Sequence, residues 1–247
     1  MGCRTLGSRQ MTDFTDAFAA ALHLILGGDP ELVAIVLRSL AISLSATALA
    51  GLLGLPFGAL VAVSRFPGRS AVVIVLNALM GLPPVVVGLV VYLLLSRAGP
   101  LGPLGLLFTP AAMVMAQACL ITPIIAALAR QTVEDLHENY DELFRSLRVG
   151  RLRAVATLVW DGRLSLATAL LAGFGRASAE VGAVIIVGGN IDKVTRVMTT
   201  AIALETSRGD LALALGLGLI VLCLSLAINA GALALGQAAR RGAGAAS

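Results

Sequence analysis

Five stretches of this chain, residues 40–63, 71–95, 106–128, 164–188 and 211–235, are apolar and long enough to cross a bilayer. At 1.5 Å per residue a helix needs about 20 residues to span roughly 30 Å of hydrocarbon. Inside that layer the backbone must satisfy its own hydrogen bonds, which leaves helices or closed barrels. No stretch shows the ten-residue alternation of a barrel strand, and aromatic residues make up only 4% of the chain. The chain therefore reads as an all-α integral membrane protein of about five transmembrane helices. Its 58% hydrophobic and 13% charged residues and its mean hydropathy of +0.94 lie outside the range of soluble domains.

The segment before the first span, 1–39, contains a run at 18–26 too short to cross, broken by Gly27, Gly28 and Pro30. It is expected to be an amphipathic helix lying in the interface. No basic region leads into an apolar core with a cleavage site, so no secretory signal is expected, and Met11 is an alternative start to Met1. Cys3, Cys119 and Cys223 are read as packing residues and His23 and His137 as surface residues, since none stands at metal-ligand spacing. No cofactor or metal is expected. The formal charge of +4 comes from arginines beside apolar runs, which points to topology rather than to nucleic acid.

With the connection at 130–163 in the cytoplasm, the basic residues inside are Arg65, Arg69, Arg130, Arg145, Arg148, Arg151, Arg153, Arg163, Arg240 and Arg241. Those outside are Arg4, Arg9, Arg97, Lys193, Arg196 and Arg208. The excess inside sets the expected orientation, amino terminus outside and carboxyl terminus cytoplasmic. Pro83 and Pro84 in the second run, and Pro110 and Pro123 in the third, are expected to remove backbone hydrogen bonds at several depths. Ordinary kinking would account for them, but the Pro83–Pro84 pair is favoured as lining a pathway.

The connection at 130–163 is the most charged part of the chain, and a loop that long is expected to have a task. Val133, Leu136, Tyr140, Leu143, Phe144 and Leu147 recur at spacings of three and four, which predicts a helix with one apolar face wanting a partner. This segment resembles the cytoplasmic coupling segment of ABC importer permeases, in which Glu-Ala-Ala is followed after three residues by Gly and, nine residues later, by Ile-x-Leu-Pro. Glu142 takes the glutamate position, Leu143 and Phe144 the alanines, Arg148 the glycine, Leu158 the isoleucine, Trp160 the leucine and Asp161 the proline. Glycine in that pattern makes a tight turn and proline ends a helix, so Gly150 is expected to supply the turn that Arg148 does not.

A second likeness covers most of the chain. "GFGRASAEVGAVIIVGGNIDKVTRVMTTAIALETSRGD", with Arg176, Glu180 and Gly182 in the order R-x-x-x-E-x-G, is similar to permeases that import molybdate, sulfate and tungstate. "NALMGLPPVVVGLVVYLLLSRAGPLGPLGLLFTPAAMVMAQ" is most like the tungstate branch. The resemblance implies a type I ABC importer permease-like bundle in a bacterial or archaeal cytoplasmic membrane. It also implies a homodimer, two copies of a separate cytoplasmic ATPase and an extracytoplasmic substrate-binding protein that carries most of the selectivity. The chain has no Gly-x-x-x-x-Gly-Lys-Ser/Thr loop and is not expected to be an enzyme. An ATP-independent secondary transporter is the alternative from another class, but five spans do not divide into equal repeats and no ladder of intramembrane acids appears.

Arg176 and Glu180 interrupt an apolar run where either charge alone disfavours insertion by a few kcal/mol. Four residues apart on a helix, they share a face and can neutralise each other. The pair is then either a structural clasp or, with Pro83, Pro84 and Gly182, part of the translocation path or gate, the guanidinium attracting a dianion.

Overall fold

The computed structural model describes residues 17–244, with side chains described as far as residue 237. Met1, Cys3, Arg4, Arg9 and Met11 lie outside the described residues, as do the side chains of Arg240 and Arg241. The elements are α1 (Ala17–Gly27), α2 (Pro30–Val63), α3 (Arg69–Met80), α4 (Pro84–Leu95), α5 (Pro110–Ser146), α6 (Arg151–Asp161), α7 (Arg163–Ser178), α8 (Gly182–Gly188), α9 (Met198–Arg208) and α10 (Leu211–Gly244). One 3₁₀ turn, Gly102–Leu104, precedes α5. Among the described residues all regular structure is helical, as the sequence predicts.

Three helices, α2, α5 and α10, are each long and apolar enough to cross a membrane alone. The other two apolar runs are broken. Residues 71–95 become α3 and α4, bent by 101° at Gly81–Pro83. Pro83 is extended and Pro84 opens α4, where a missing N–H costs nothing. Residues 164–188 become α7 and α8, separated at 179–181, and α7 is itself bent by 76° from α6. Of the other prolines, Pro110 is the first residue of α5 behind the Thr109 cap, so it removes no ladder bond, whereas Pro123 and Pro56 do lie inside helices.

α2 starts ten residues before its apolar run because Asp29 accepts the N–H groups of Glu31 and Leu32 at 3.0 Å and Pro30 takes the first helical position. Ala46, Ala50, Gly54, Gly58 and Ala62, four apart and all buried, form a seam of small residues along it. α5 lies in this seam, parallel to α2. A Cβ on Gly58 would stand 2.2 Å from the Ala126 carbonyl oxygen, and one on Gly54 3.0 Å from that of Thr122. Lipid-like surroundings give helices no hydrophobic reason to associate, so this close backbone approach is what holds the pair.

The core divides along the bundle. At the middle, α2, α4, α5, α7 and α8 meet around Ala50, Met113, Ile121, Ala183 and Val187. At one end Leu32, Ile35, Met198, Ala201 and Leu217 join α2, α9 and α10. At the arginine-rich end Ala59, Ala62, Val133, Phe144, Ala154 and Leu158 join α2, α5 and α6. There Glu134 takes Arg69 at 2.5 Å and also pairs with Arg130, tying α3 to α5. Cys119 and Cys223 are exposed, on faces turned away from the core rather than packed within it. His137 is half-buried, its ring stacked on Phe144 at 6.1 Å, because it falls on the same helical face as Tyr140 and Phe144; His23 is exposed.

Candidate functional sites at the two ends of the bundle

The segment 130–163 is no separate loop. α5 runs without a break from Pro110 to Ser146, because the three–four apolar spacing continues after the sequence turns charged. The chain then reverses at 147–150 into α6. The turn is made by Arg148, at φ 49°, while Gly150 is extended at φ −68° and caps α6. The left-handed conformation therefore stays at the position where the coupling pattern has glycine, although an arginine fills it.

Of the residues matched to that pattern, Phe144 turns inward, 9% exposed, stacked on Tyr140 at 5.6 Å and packed near Leu158 and Ala154. Glu142 is exposed, as are the apolar side chains of Leu143, Leu147 and Trp160, whereas Leu152 lines a groove with Leu44, Leu52 and Pro56 of α2. The Asp161 carboxylate accepts the Tyr140 hydroxyl at 2.8 Å, and this acceptor and its charge raise the Tyr140 pKa above the usual phenol value. Asp161 and Gly162 end α6 where the pattern has proline. A Cβ on Gly162 would stand 2.9 Å from Leu136, which is why α6 can turn so sharply into α7 over α5.

Toward the other end, Arg176 Nη1 donates to Glu180 Oε2 at 2.7 Å. Their environments differ: the Arg176 side chain is 36% exposed, that of Glu180 only 3%. Glu180 is fixed on every side. Its Oε1 accepts the Ala183 N–H at 3.0 Å, capping α8; its carbonyl accepts Thr199 Oγ1 at 2.9 Å; and its N–H donates to the Ala177 carbonyl at 3.2 Å. Ala177 also accepts Gln117 Nε2 at 3.0 Å, so α5 holds the last turn of α7. The carboxylate thus serves the helix break as well as the arginine.

Gly182 brings α4 to this point. A Cβ there would lie 2.9 Å from Val85 Cγ2, 3.7 Å from the Val85 nitrogen and 3.5 Å from Glu180 Oε1. One turn on, Gly88 leaves room for the Ala183 backbone, 2.7 Å from where its Cβ would be. The first turn of α4, just after Pro83 and Pro84, therefore lies against the α7–α8 break. Of the residues singled out in the sequence, Pro84, Arg176, Glu180 and Gly182 come together here, and Glu142, Leu143, Phe144, Arg148 and Gly150 at the arginine-rich end.

Residues 54–241 match the family described as binding-protein-dependent transport system inner membrane component. The chain belongs to that family. It is 39% identical over 200 residues to the tungstate uptake system permease protein TupB of Peptoclostridium acidaminophilum, covering 81% of this chain and 88% of that one. It is 41% identical over 185 residues to a probable anion ABC transporter permease of Haloferax volcanii, covering 73% and 80%. A molybdenum transport system permease, ModB of Escherichia coli, is 30% identical over 186 residues, covering 70% and 79%. The protein is thus an inner-membrane permease subunit and not an enzyme; as part of a binding-protein-dependent system it works with a substrate-binding protein and a separate ATPase.

Sequence reasoning passed over several polar residues of this permease that hold the break in place. Gln117, Ser39 and Thr199 each bond across elements: Ser39 Oγ accepts the Met198 N–H at 2.7 Å, 159 residues away. The available signal was a lone amide, Gln117, inside an otherwise apolar run, and the Thr199–Thr200 pair that opens α9. Arg38 escapes the sequence reading too, and Arg196 enters it only as an outside charge and as part of a Thr-Arg pair in the family resemblance. Arg38 donates to the Arg196 carbonyl at 3.0 Å, and the buried Arg196 guanidinium lies 3.2 Å from Asp192 and 3.6 Å from Glu31, tying the loop after α8 to the start of α2.

Proposed function

We propose that this permease forms the translocation path of an ATP-driven tungstate importer, working as a homodimer on two copies of the ATPase. Its arginine-rich end faces the cytoplasm and its amino terminus the outside. The single observation that carries the substrate is the 39% identity, over most of both chains, to a permease named for tungstate uptake. The weaker likeness to ModB makes molybdate the second reading.

In this reading Glu142 and Leu143, both exposed near the end of α5, meet the ATPase. Phe144, Arg148 and Gly150 shape the reversal that presents them, and Phe144 carries motion of that surface into α2 and α5. Arg176 and Glu180 form the gate, with Gly182 beside Glu180 and the turn of α4 that Pro83 and Pro84 open packed on Gly182 through Val85. Glu180 is the fixed member and Arg176 the one that moves. A guanidinium has five N–H donors, and a tetrahedral dianion arriving near it competes with Glu180 for them. When Arg176 turns to the anion, the clasp that closes α7 on α8 loosens.

Uptake of radiolabelled tungstate into proteoliposomes holding the permease, its ATPase and its binding protein tests this, with molybdate and sulfate in parallel. ATP-dependent tungstate uptake is expected, reduced at least tenfold by Arg176→Gln with assembly intact. Uptake without ATP, or a preference for sulfate, refutes the proposal. Exchanging the two charges would not separate clasp from gate, because an arginine at 180 cannot accept the Ala183 N–H.

A further inference from the structure

Beside the α7–α8 break is a cavity of about 10 Å³, lined by Ser39, Ser43, Gln117, Ser178, Glu180 and Thr199. That is room for about one water molecule and for nothing larger. Much of its lining is already committed. Ser39 donates to the Ile35 carbonyl and accepts from Met198, and Thr199 donates to the Glu180 carbonyl. Capacity remains on Gln117, Ser178 and Glu180, and Ser43 adds a further hydroxyl to the same lining. Gln117 is 3% exposed, and its Oε1 has no partner in the protein; Ser178 is half-buried, but its hydroxyl oxygen is shielded and has none either. The Glu180 carboxylate, with about four acceptor sites, uses one for Arg176 and one for Ala183.

Two acceptors and hydroxyl donors around a volume of this size match the hydrogen-bonding capacity of water, which can donate to Gln117 Oε1 and to Glu180 while accepting from Ser178. An anion is excluded by the carboxylate and the amide oxygen, and a cation is disfavoured because Arg176 already balances Glu180. We propose that the cavity binds one water molecule, and that this water takes over the hydrogen bonding of Glu180 when Arg176 turns to the passing anion. The second half rests on the gating reading above. Its physical reason is that a buried carboxylate stripped of its cation is strongly destabilised, whereas a water-mediated bond is nearly as good as a direct one. A water already at the carboxylate makes the exchange of partners possible without opening the bundle.

The test uses the assembled transporter in nanodiscs. A cryo-EM map that resolves ordered waters should show one within hydrogen-bond distance of Gln117 Oε1 and Ser178 Oγ; its absence overturns the site. Ser43→Val fills the cavity with methyl groups. If water is held there, the melting temperature falls, because Gln117 and Ser178 lose their partner; if the cavity is dry, the added packing leaves it unchanged or raises it, and the site is overturned. In the same variant single-turnover tungstate uptake should fall about tenfold, and uptake like the parent's overturns the exchange. If Ser43→Val does not assemble, Ser178→Ala removes the hydroxyl without adding volume and serves for both comparisons. A parent that imports no oxyanion would sink the functional reading alone, since density and melting do not depend on cargo.

Discussion

Replacing Arg148 by glycine should stabilise the end of the permease that carries α6. The arginine sits at φ 49°, where a side chain costs about 1–2 kcal/mol relative to the right-handed region. Its side chain is exposed and takes part in no ion pair among the described residues, so truncation removes no compensating contact. Glycine also enlarges the freedom of the unfolded chain, which takes back about 0.4–1 kcal/mol. The net gain is about 0.5–1 kcal/mol, a two- to fivefold lower population of the locally opened turn. Gly150 provides the contrast. At φ −68° with nothing within 4 Å of a Cβ, it can become serine without strain, and a serine there would cap α6, which has no side-chain cap. Both Arg148→Gly and Gly150→Ser should therefore raise the midpoint of denaturant unfolding. Trp160, the one tryptophan of the chain, lies near the end of α6 and reports it by fluorescence. A lower midpoint for Arg148→Gly would refute the argument. A loss in Gly150→Ser would show that the glycine at 150 makes the turn after all.

Gly58→Ala sets a Cβ 2.2 Å from the Ala126 carbonyl oxygen and 3.0 Å from the Arg130 nitrogen, backbone atoms that cannot swing aside, so α2 and α5 must part. A loss of about 3 kcal/mol or more is expected, seen as failure to recover monodisperse permease; normal yield and melting would contradict the seam. Leu143→Asp should leave the permease folded but abolish ATP-dependent uptake, whereas Phe144→Asp buries a charge among Tyr140, Ala154 and Leu158 and should lower stability as well; equal effects on stability would refute their different placement. A cysteine at Glu138, exposed on α5, placed in a background without the native cysteines, should resist an impermeant maleimide in intact cells and react after lysis; labelling before lysis would overturn the proposed orientation. Because Asp161 raises the Tyr140 pKa, the bond between them stabilises below the ordinary phenol pKa and is lost as pH rises through the raised value. Tyr140→Phe should therefore cost about 1 kcal/mol at neutral pH and flatten the loss of stability above about pH 10, both read by the Trp160 titration.

The membrane class and five apolar runs could be read from the sequence because they depend on hydrophobicity summed over twenty residues, which no tertiary contact reverses. The break at Pro83–Pro84 was also legible, since proline acts locally. The break at 179–181 was not, because no proline marks it; it exists because Glu180 caps α8 with the same carboxylate that pairs with Arg176, and that double use is visible only in three dimensions. At the other end the helical period holds, but the change to charged residues marks no boundary, and one 37-residue helix runs through both the expected span and the expected loop. Phe144 and Leu143 looked alike as partners for another protein because periodicity identifies an apolar face without saying what covers it. α6 folds back over Phe144 and leaves Leu143 exposed, so one residue of the pair belongs to the permease's own core and only the other is free to meet a partner. That division gives the coupling end a physical role. If Leu143 meets the ATPase as proposed, a push on it would pass through the next residue to Val133, Ala154 and Leu158, and from there to Ala59 and Ala62 on α2, whose small-residue seam has no side-chain slack to absorb it.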